Sequence, residues 1–178
     1  MERLFSPWRS KYIASFKDET PGANECLFCR IAKDRNDGKH LVVARRKHCY
    51  VVMNLYPYNS GHVMVVPYKH TAWFGDLTNA EYGNVMRTTA TMMDVLSEVL
   101  TPHGFNFGSN IGRVAGAGID QHIHFHIVPR WNGDTNFMPV IADTKLVSEH
   151  IREVYKKLKK ASPTKPARLR VRTGRSGG

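Results

Sequence analysis

The chain has 178 residues, of which 42% are hydrophobic and 10% aromatic, and these values are typical of one globular domain. No apolar run reaches the roughly 18 residues of a membrane-spanning helix, and the amino-terminal residues lack the apolar core of a secretory signal peptide. Nine Lys and Arg residues and no acidic residue lie from Lys156 onward, so the net charge of +11 leaves only +2 for the rest of the chain. This distribution argues against a uniformly basic, nucleic-acid-binding body.

The amino-terminal half predicts an arm, one short helix and three strands. Residues 4–16 mix aromatic with basic side chains and are predicted to form an arm packed on the domain. A short helix begins near Glu25 and ends at the turn signal of residues 36–38. Residues 40–54 predict two strands joined by a basic turn, and residues 62–67 predict a third strand that ends at a proline.

The clearest helix of the sequence covers residues 77–100. Thr78 and Glu81 have the spacing of a capping box, in which each side chain accepts a hydrogen bond from the backbone of the other. Residues at the spacing of one helical face predict the buried side of this helix. They are Tyr82, Val85, Met86, Thr89, Met93, Leu96 and Leu100.

The carboxyl-terminal half predicts two more strands and a last helix. Residues 104–110 begin the fourth strand, and residues 112–118 form a glycine-rich loop. Residues 122–128 predict a buried fifth strand closed by Pro129. Asp143 is predicted to cap a final amphipathic helix.

Strands grouped around one long helix predict an α+β fold with a five-stranded antiparallel sheet and shorter amino- and carboxyl-terminal helices. We assign residues 1–160 to one domain with its arm and residues 161–178 to a basic, flexible tail rich in Pro, Gly and Ser. The tail is predicted either to be a solvated segment that aids solubility or to make a weak contact with RNA or another polyanion. Three cysteines outside any disulfide-like pattern favour a cytoplasmic location, and no membrane partner is expected.

The run QHIHFHIVPRW places three histidines at every second position of an apolar stretch. Side chains alternate along a strand, so His122, His124 and His126 share one face while Ile123 and Phe125 line the other. Neighbouring histidines then stand about 6.6 Å apart and the outer pair about 13 Å apart, so all three could bind one zinc ion only under severe strain. Because each buried ring needs a polar partner, three on one face favour a catalytic role over plain core packing.

The histidine row suits a reaction at phosphorus. A neutral imidazole is available as a nucleophile at cellular pH, and its attack on phosphorus gives a phosphoramidate-type intermediate that water or another acceptor discharges. This reaction needs hydrogen-bond donors around the developing oxyanion and a cradle for the neighbouring phosphates. Flanking histidines supply the donors, and backbone N–H groups of the glycine-rich loop supply the cradle.

The residues from His122 to Val128 resemble the motif of the histidine triad family: three alternate histidines followed by two apolar residues. The stretch NLYPYNSGHVMVVPYKH resembles the upstream strand of that family. PRWNGDTNF and LFSPWRSKYI are similar to the branch containing diadenosine tetraphosphate phosphorylases and related hydrolases. The resemblance extends from about residue 4 to residue 158 and implies the family fold, an enzyme, no organic cofactor and a homodimer.

The resemblance also implies roles for single residues. His124 is the nucleophile that attacks the α-phosphate and becomes nucleotidylated, His126 contacts the phosphates near the leaving group, and His62 supports the triad. Asn54 falls where the family places a ribose-binding Asn or Asp, the alternative being that it caps the turn after it. The positions around the nucleobase, for which core packing is the alternative, are Leu27, Phe28, Ile31 and Leu55.

The loop before the histidines departs from the family pattern. Members that act on phosphoramidates and on diadenosine triphosphate carry Ser, Thr or Gln where this chain reads GAGIDQ. Help for the leaving group then falls to Gln121 or Asn110, and the final acceptor stays open. The phosphate-binding loop implied by the resemblance includes Gly116, Ala117 and Gly118.

Cys26 and Cys29 have the Cys-x-x-Cys spacing that places two thiolates on one metal ion. Similarity to bacterial members of the family implies His70 and His122 as the other two ligands of a structural zinc ion. His124, about 6.6 Å further along the strand, then stays available for phosphate. The alternative is that His70 is a surface residue and that the cysteines pack as small apolar groups.

Three functions from different classes follow from the sequence. The first is a hydrolase or transferase that splits a dinucleoside polyphosphate or nucleotide conjugate through a nucleotidyl-histidine. The second is a nucleotide-binding regulatory protein with incidental hydrolysis. The third is an RNA-associated protein that acts through its basic tail. The first is favoured, because the body carries a complete phosphate site and the tail carries only charge.

Overall fold

The computed structural model describes residues 25–134 and 149–163. The predicted amino-terminal arm, the predicted helix cap at Asp143 and the tail after residue 163 lie outside the described residues. The assignment of residues 1–160 and 161–178 to a domain and a tail therefore stays a prediction.

The described residues form a five-stranded sheet with four α-helices. In chain order the elements are α1 (Leu27–Lys33), α2 (Asp37–His40), β1 (Val42–Arg45), β2 (Cys49–Met53), β3 (Val63–Pro67), α3 (Asn79–Leu100), β4 (Gly104–Gly108), β5 (Phe125–Arg130) and α4 (Ile151–Ala161). The strand order is β1-β2-β3-β5-β4, and every neighbouring pair is antiparallel. The predicted α+β fold is confirmed.

The two faces of the sheet are covered by different helices. On one face, Ile123, Phe125 and Ile127 pack in the main hydrophobic core with buried residues of α3 and α4. On the opposite face, Phe28 and Ile31 of α1 pack in a second, smaller core on β1, β2 and β3. The alternation predicted for the histidine run is confirmed, because its apolar members line the main core and its histidines lie on the α1 face.

Helix α3 begins at the predicted capping box. The Thr78 side chain accepts a hydrogen bond from the Glu81 backbone N–H, and the Glu81 carboxylate accepts one from the Thr78 backbone N–H at 2.8 Å. The predicted apolar stripe is wrong at Met86, whose side chain is exposed, while Met92 is fully buried. The buried face is centred one position away from the predicted stripe, and threonine side chains fill part of it.

Two predicted boundaries are wrong. The turn signal at residues 36–38 does not end α1, which stops at Lys33; it begins α2, because Asn36 caps that helix by accepting a hydrogen bond from the Lys39 backbone N–H. Strand β5 covers Phe125–Arg130 instead of residues 122–128. Pro129 lies inside β5 and does not close the strand. The ladder with β3 ends at Ile127, so the absence of an N–H group on Pro129 leaves no gap in that ladder.

Candidate active site and metal centre

The histidine run enters β5 from an extended segment that two other parts of the chain fix. The Ile123 backbone N–H donates to the Thr71 carbonyl oxygen at 2.6 Å. The Ser109 hydroxyl donates to the His124 carbonyl oxygen at 2.7 Å. Ser109 was not identified from the sequence, because no motif marks a serine that contacts only a backbone group. These bonds hold His122 and His124 in place although both precede the regular strand.

The hydrogen bond at Nδ1 of His124 determines its tautomer. This nitrogen lies 2.9 Å from the His122 carbonyl oxygen, which can only accept, so Nδ1 carries the proton. The lone pair therefore lies on Nε2. The ring is buried, its centroid lies 4.9 Å from that of the Phe28 ring, and burial lowers its pKa. His124 is thus a neutral imidazole with a nucleophilic Nε2 at neutral pH.

A chain of hydrogen bonds fixes the proton positions on His62 and His126. The Tyr58 backbone N–H donates to His62 Nδ1 at 3.0 Å, so His62 carries its proton on Nε2. That nitrogen lies 2.9 Å from His126 Nδ1 and donates to it. His126 accepts at Nδ1 and, as a neutral ring, must carry its own proton on Nε2.

The Nε2–H group of His126 is a buried donor. Within residues 25–134 and 149–163 it has no hydrogen-bond partner. The His126 and His124 ring centroids are 4.9 Å apart, so the donor lies beside the proposed nucleophile. Burial lowers the His126 pKa from 6.5 to about 4, which keeps the ring neutral at cellular pH. A buried donor without a partner favours an anionic acceptor such as a phosphoryl oxygen.

The loop that holds His62 is tied to the end of β5. The Asn59 side-chain amide donates to the Asp134 carboxylate at 2.8 Å, and the Arg130 guanidinium donates to the same carboxylate through two nitrogens. Tyr58 stacks on the His62 ring with centroids 4.9 Å apart. Sequence reasoning missed these residues.

The glycine-rich loop forms a single 3₁₀ turn over Arg113–Ala115. Gly112 and Gly116 adopt φ values of 81° and 90°, a region that favours glycine. The Gly116 and Ala117 backbone N–H groups donate to carbonyl oxygens within the loop, so two amides assigned to the phosphate cradle already have partners. Asn110 is half-buried and Gly118 and Gln121 are exposed. The phosphate-binding assignments in this loop stay predictions.

The predicted nucleobase and ribose residues lie in different environments. Phe28 and Ile31 are buried in the second core, Leu27 is half-buried, and Leu55 is 65% exposed. The Asn54 side-chain oxygen accepts from the Tyr56 backbone N–H at 3.0 Å, as in the turn-capping alternative. The Asn54 amide nitrogen lies 3.3 Å from His62 Nδ1. Roles of these residues in nucleotide binding stay predictions.

The four predicted metal ligands form one cluster. Their ligand atoms all lie within 4.8 Å of one another. The sulfur–nitrogen distances are 3.4 Å for Cys26–His122, 3.4 Å for Cys29–His70 and 3.6 Å for Cys29–His122, and the two histidine Nδ1 atoms are 3.2 Å apart. A tetrahedral zinc ion with bonds of about 2.0 Å to nitrogen and about 2.3 Å to sulfur separates its ligand atoms by about 3.3 to 3.8 Å. The cluster therefore has the size and donor set of a tetrahedral zinc site.

The outer contact of His122 turns this ring toward the cluster. His122 Nε2 donates to the Pro67 carbonyl oxygen at 2.9 Å, so the Nδ1 lone pair points at the other three ligand atoms. Burial lowers the His122 pKa to about 4, which keeps that lone pair available. His70 is exposed, but its Nδ1 lies within the cluster, so the ligand interpretation describes this residue better than a surface role.

Comparison with known proteins places this site in a family. The HIT domain model matches residues 35–133. Over 156 residues, 86% of this chain and 80% of the relative, the sequence is 40% identical to the AP-4-A phosphorylase of Mycobacterium tuberculosis. The chain belongs to the HIT family. The predicted histidine triad resemblance is therefore confirmed.

Other HIT-family members extend the comparison. The adenosine 5'-monophosphoramidase of Schizosaccharomyces pombe is 27% identical over 107 residues, 60% of this chain and 75% of the relative. The crystal structure of a Zn-bound histidine triad family protein from Mycobacterium smegmatis superposes with a TM-score of 0.62 at 23% identity, covering 77% of this chain and 92% of the other. Both named sequence relatives are enzymes, and the prediction of a HIT-family enzyme is confirmed. Within the described ranges, no helix has the length and apolarity to cross a bilayer.

Proposed function

We propose that this HIT-family enzyme cleaves diadenosine tetraphosphate or a closely related dinucleoside polyphosphate at the α-phosphate. The observation that carries the proposal is the juxtaposition of two neutral rings: the buried His124, with its lone pair on Nε2, and the half-buried His126, with a proton on a buried Nε2. One ring attacks and the other donates a hydrogen bond to the phosphate oxygens. The 40% identity to an AP-4-A phosphorylase supports this substrate class.

The proposed reaction has two steps. His124 Nε2 forms a bond to the α-phosphorus, and the bond from that phosphorus to the bridging oxygen breaks, releasing ATP and leaving AMP on the histidine. An acceptor then attacks the same phosphorus and regenerates the ring. The His126 Nε2–H stabilises the negative charge that develops on the phosphate oxygens in both steps. The Ser109 contact keeps the segment that carries His124 in position.

We propose inorganic phosphate as the acceptor, on the strength of the same relative. Orthophosphate transfer converts the bound AMP to ADP, whereas water would release AMP. Incubation of the purified protein with diadenosine tetraphosphate, with and without phosphate, distinguishes these outcomes. ADP and ATP formed only with phosphate are expected. AMP and ATP formed in either condition indicate a hydrolase, and tight nucleotide binding without turnover indicates a regulatory protein and contradicts the enzymatic proposal.

We further propose that Cys26, Cys29, His70 and His122 hold a structural zinc ion. When bound, zinc fixes α1 against the segment that leads into β5, because the cysteines flank the start of α1 and His122 begins that segment. Spacings of 3.2–3.6 Å for four of the six pairs of ligand atoms support this assignment.

Metal analysis of protein purified without chelator tests the zinc proposal. We expect about one zinc per chain, loss of the metal in Cys29→Ser, and retention in Cys49→Ala, which removes the one cysteine outside the cluster. A chelator is expected to lower the melting temperature of the wild type but not that of Cys29→Ser. Absence of zinc from the wild type contradicts the assignment.

We also propose a homodimer in the cytoplasm. Phe74, Met86 and Phe107 are exposed apolar side chains close to the start of α3 and to β4. The Phe74 and Phe107 rings both pack on Phe125 at centroid distances of 5.8 and 6.2 Å, so they form one patch. Strand β4 is an edge of the sheet, and an edge beside an apolar patch is suited to contact with a second copy. A weak contact of the tail with a polyanion is proposed on charge alone.

A further inference from the structure

A basic cleft is lined by none of the triad histidines and by none of the four residues of the cysteine cluster. It has a volume of about 400 Å³, within the range of small-molecule sites. The β1–β2 turn, the end of α1 and the residue after β3 provide its walls. Its lining residues are Ala32, Arg35, Arg45, Arg46, Lys47 and Tyr68.

The positive charges of this cleft are only partly neutralised. Arg45 pairs with Asp37 at 2.8 Å and donates to three carbonyl oxygens near the end of α1, so its role is structural. Arg35, Arg46 and Lys47 have no ion pair with a carboxylate in the part of the chain that the structure describes. Three uncompensated cations around one concavity create a positive potential that attracts multivalent anions.

Arg46 adds a buried donor to this charge. Its two terminal nitrogens donate to the Arg45 and Pro163 carbonyl oxygens at 3.0 and 2.9 Å, which fixes the guanidinium. Its Nε is buried and has no partner within the described ranges. Burial lowers the Arg46 pKa, so the protein itself does not fully compensate this charge. The guanidinium therefore contributes a fixed positive charge to the wall of the cleft.

The cleft is too far from the triad to be part of it. Its turn leads into β2, and Cys49 at the start of β2 pairs with Pro67 on β3. Strand β3 separates β2 from β5, so the β1–β2 turn lies about 10 Å from the histidine strand at normal strand spacing. The Tyr68 wall is nearer, because His122 donates to the neighbouring Pro67 carbonyl oxygen, but neither His124 nor His126 lines the cleft. A ligand in the cleft therefore does not contact the reacting groups.

We propose that this cleft is a second anion site that binds a short oligophosphate, either free or carried by a nucleotide. Three cations match the charge of a di- or triphosphate, and Arg46 is one whose position two backbone carbonyl oxygens fix. The Tyr68 side chain lines the cleft and packs against the second core.

Calorimetric titration of the full-length protein with sodium tripolyphosphate, at a fixed ionic strength of about 0.15 M, tests the proposal. The test variant is Arg35→Glu/Lys47→Glu, because both side chains are exposed and the fold should be retained. The matched control is Arg87→Glu/Arg152→Glu, which makes the same change in net charge on α3 and α4 away from the cleft. We expect the Kd to rise at least tenfold in the test variant and about twofold or less in the control.

Competition identifies the source of the phosphate chain. Displacement of tripolyphosphate by ADP supports a nucleotide-borne ligand, and lack of displacement supports a free oligophosphate. Equal affinity in the test and control variants, or no binding of tripolyphosphate at about 1 mM, overturns the proposal. Binding of single-stranded RNA by the cleft without binding of tripolyphosphate also overturns the proposal, since this result indicates a polynucleotide surface.

The cleft and the triad are tested separately. The Arg35→Glu/Lys47→Glu variant is expected to retain its turnover of diadenosine tetraphosphate within about twofold in the absence of added oligophosphate. The tripolyphosphate titration measures binding only, so it still tests the cleft if the wild type does not cleave diadenosine tetraphosphate.

Discussion

His62 accepts a hydrogen bond at Nδ1 from the Tyr58 amide and donates one at Nε2 to His126. A backbone N–H can only donate, so this one contact determines the proton position on both rings. The same principle operates at His124 and His122, whose partners are carbonyl oxygens. Backbone groups thus give each ring the tautomer that its proposed task requires.

Replacement of His62 by alanine removes the donor that faces His126 Nδ1. The Nε2–H tautomer of His126 is then no longer enforced, and we expect kcat to fall about 10²-fold with KM changed less than about threefold. Ring ¹⁵N NMR should show the Nε2–H form of His126 in the wild type and a mixture in the variant.

A histidine on the β1–β2 turn, outside the triad, provides the control, since His48→Ala should change neither kcat nor the His126 spectrum. An unchanged tautomer in His62→Ala with a reduced kcat would show that His62 acts in some other way.

His126 also makes stability depend on pH. Its pKa is about 4 in the folded chain against 6.5 for an unperturbed ring, and the groups that face it are His62, His124 and the Tyr58 ring. Between these two pKa values the unfolded chain binds a proton that the folded chain does not. The contribution of the neutral ring to the free energy of unfolding is therefore fully present above pH 6.5. It falls by about 3 kcal/mol as the pH decreases from 6.5 to 4.

Urea denaturation at pH 7 and pH 4.5 measures this effect. The wild type should lose about 2 to 3 kcal/mol more of its free energy of unfolding between these pH values than His126→Asn does. Equal losses in the two proteins would show that the His126 ring is not kept neutral by burial.

The spacing of the histidines allowed the reacting rings to be predicted, because alternation along an extended chain fixes which side chains share a face. It could not predict Asp134, whose carboxylate contacts Asn59 across 75 positions of sequence. Nor could it predict Ser109, since its hydroxyl contacts the backbone of His124. Such contacts depend on how distant loops meet after folding.

At the scale of elements, α3 depends on its capping box. Thr78→Ala removes the side-chain acceptor for the Glu81 backbone N–H and is expected to lower the free energy of unfolding by about 1 kcal/mol. Thr78→Ser keeps the hydroxyl and should cost only a few tenths of a kcal/mol. Chemical denaturation of the three proteins gives these values, and equal stability of the alanine and serine variants contradicts the role of the cap.

Element boundaries were less predictable than element types. The long helix and the five strands follow from hydrophobic periodicity, which local sequence carries. The ends of β5 depend instead on its partners, because pairing with β3 begins at Phe125 and pairing with β4 ends at Arg130. Likewise, Met86 lies at a helical spacing suited to burial, but the buried face of α3 runs through Thr88 and Met92 and leaves Met86 exposed.

At the scale of the whole molecule, the sheet has one face that forms the main core and another that carries the candidate site. One face packs on α3 and α4 and forms the main core, whereas the other carries the histidines, the cysteine cluster and α1. A dimer through α3 and β4 leaves the histidine face open to nucleotide.

Sedimentation equilibrium tests this arrangement. We expect a dimer for the wild type and a monomer, or at least a tenfold weaker dimer, for Met86→Glu/Phe107→Glu, because buried carboxylates disfavour the interface. Leu55→Glu, at a more exposed apolar position outside the patch, is the control and should stay dimeric. A monomeric wild type, or a dimer unaffected by the double substitution, contradicts the proposed interface.

The nucleophilic role of His124 is tested most directly by rapid mixing with diadenosine tetraphosphate, quenching and mass spectrometry of the intact and digested protein. We expect one AMP group per active site, attached to the peptide that contains His124. In His124→Ala, the adduct and turnover should both be lost while nucleotide affinity stays within about tenfold, since the ring contributes to reaction and little to binding. Turnover retained by His124→Ala, or an AMP group found on another residue, contradicts the mechanism.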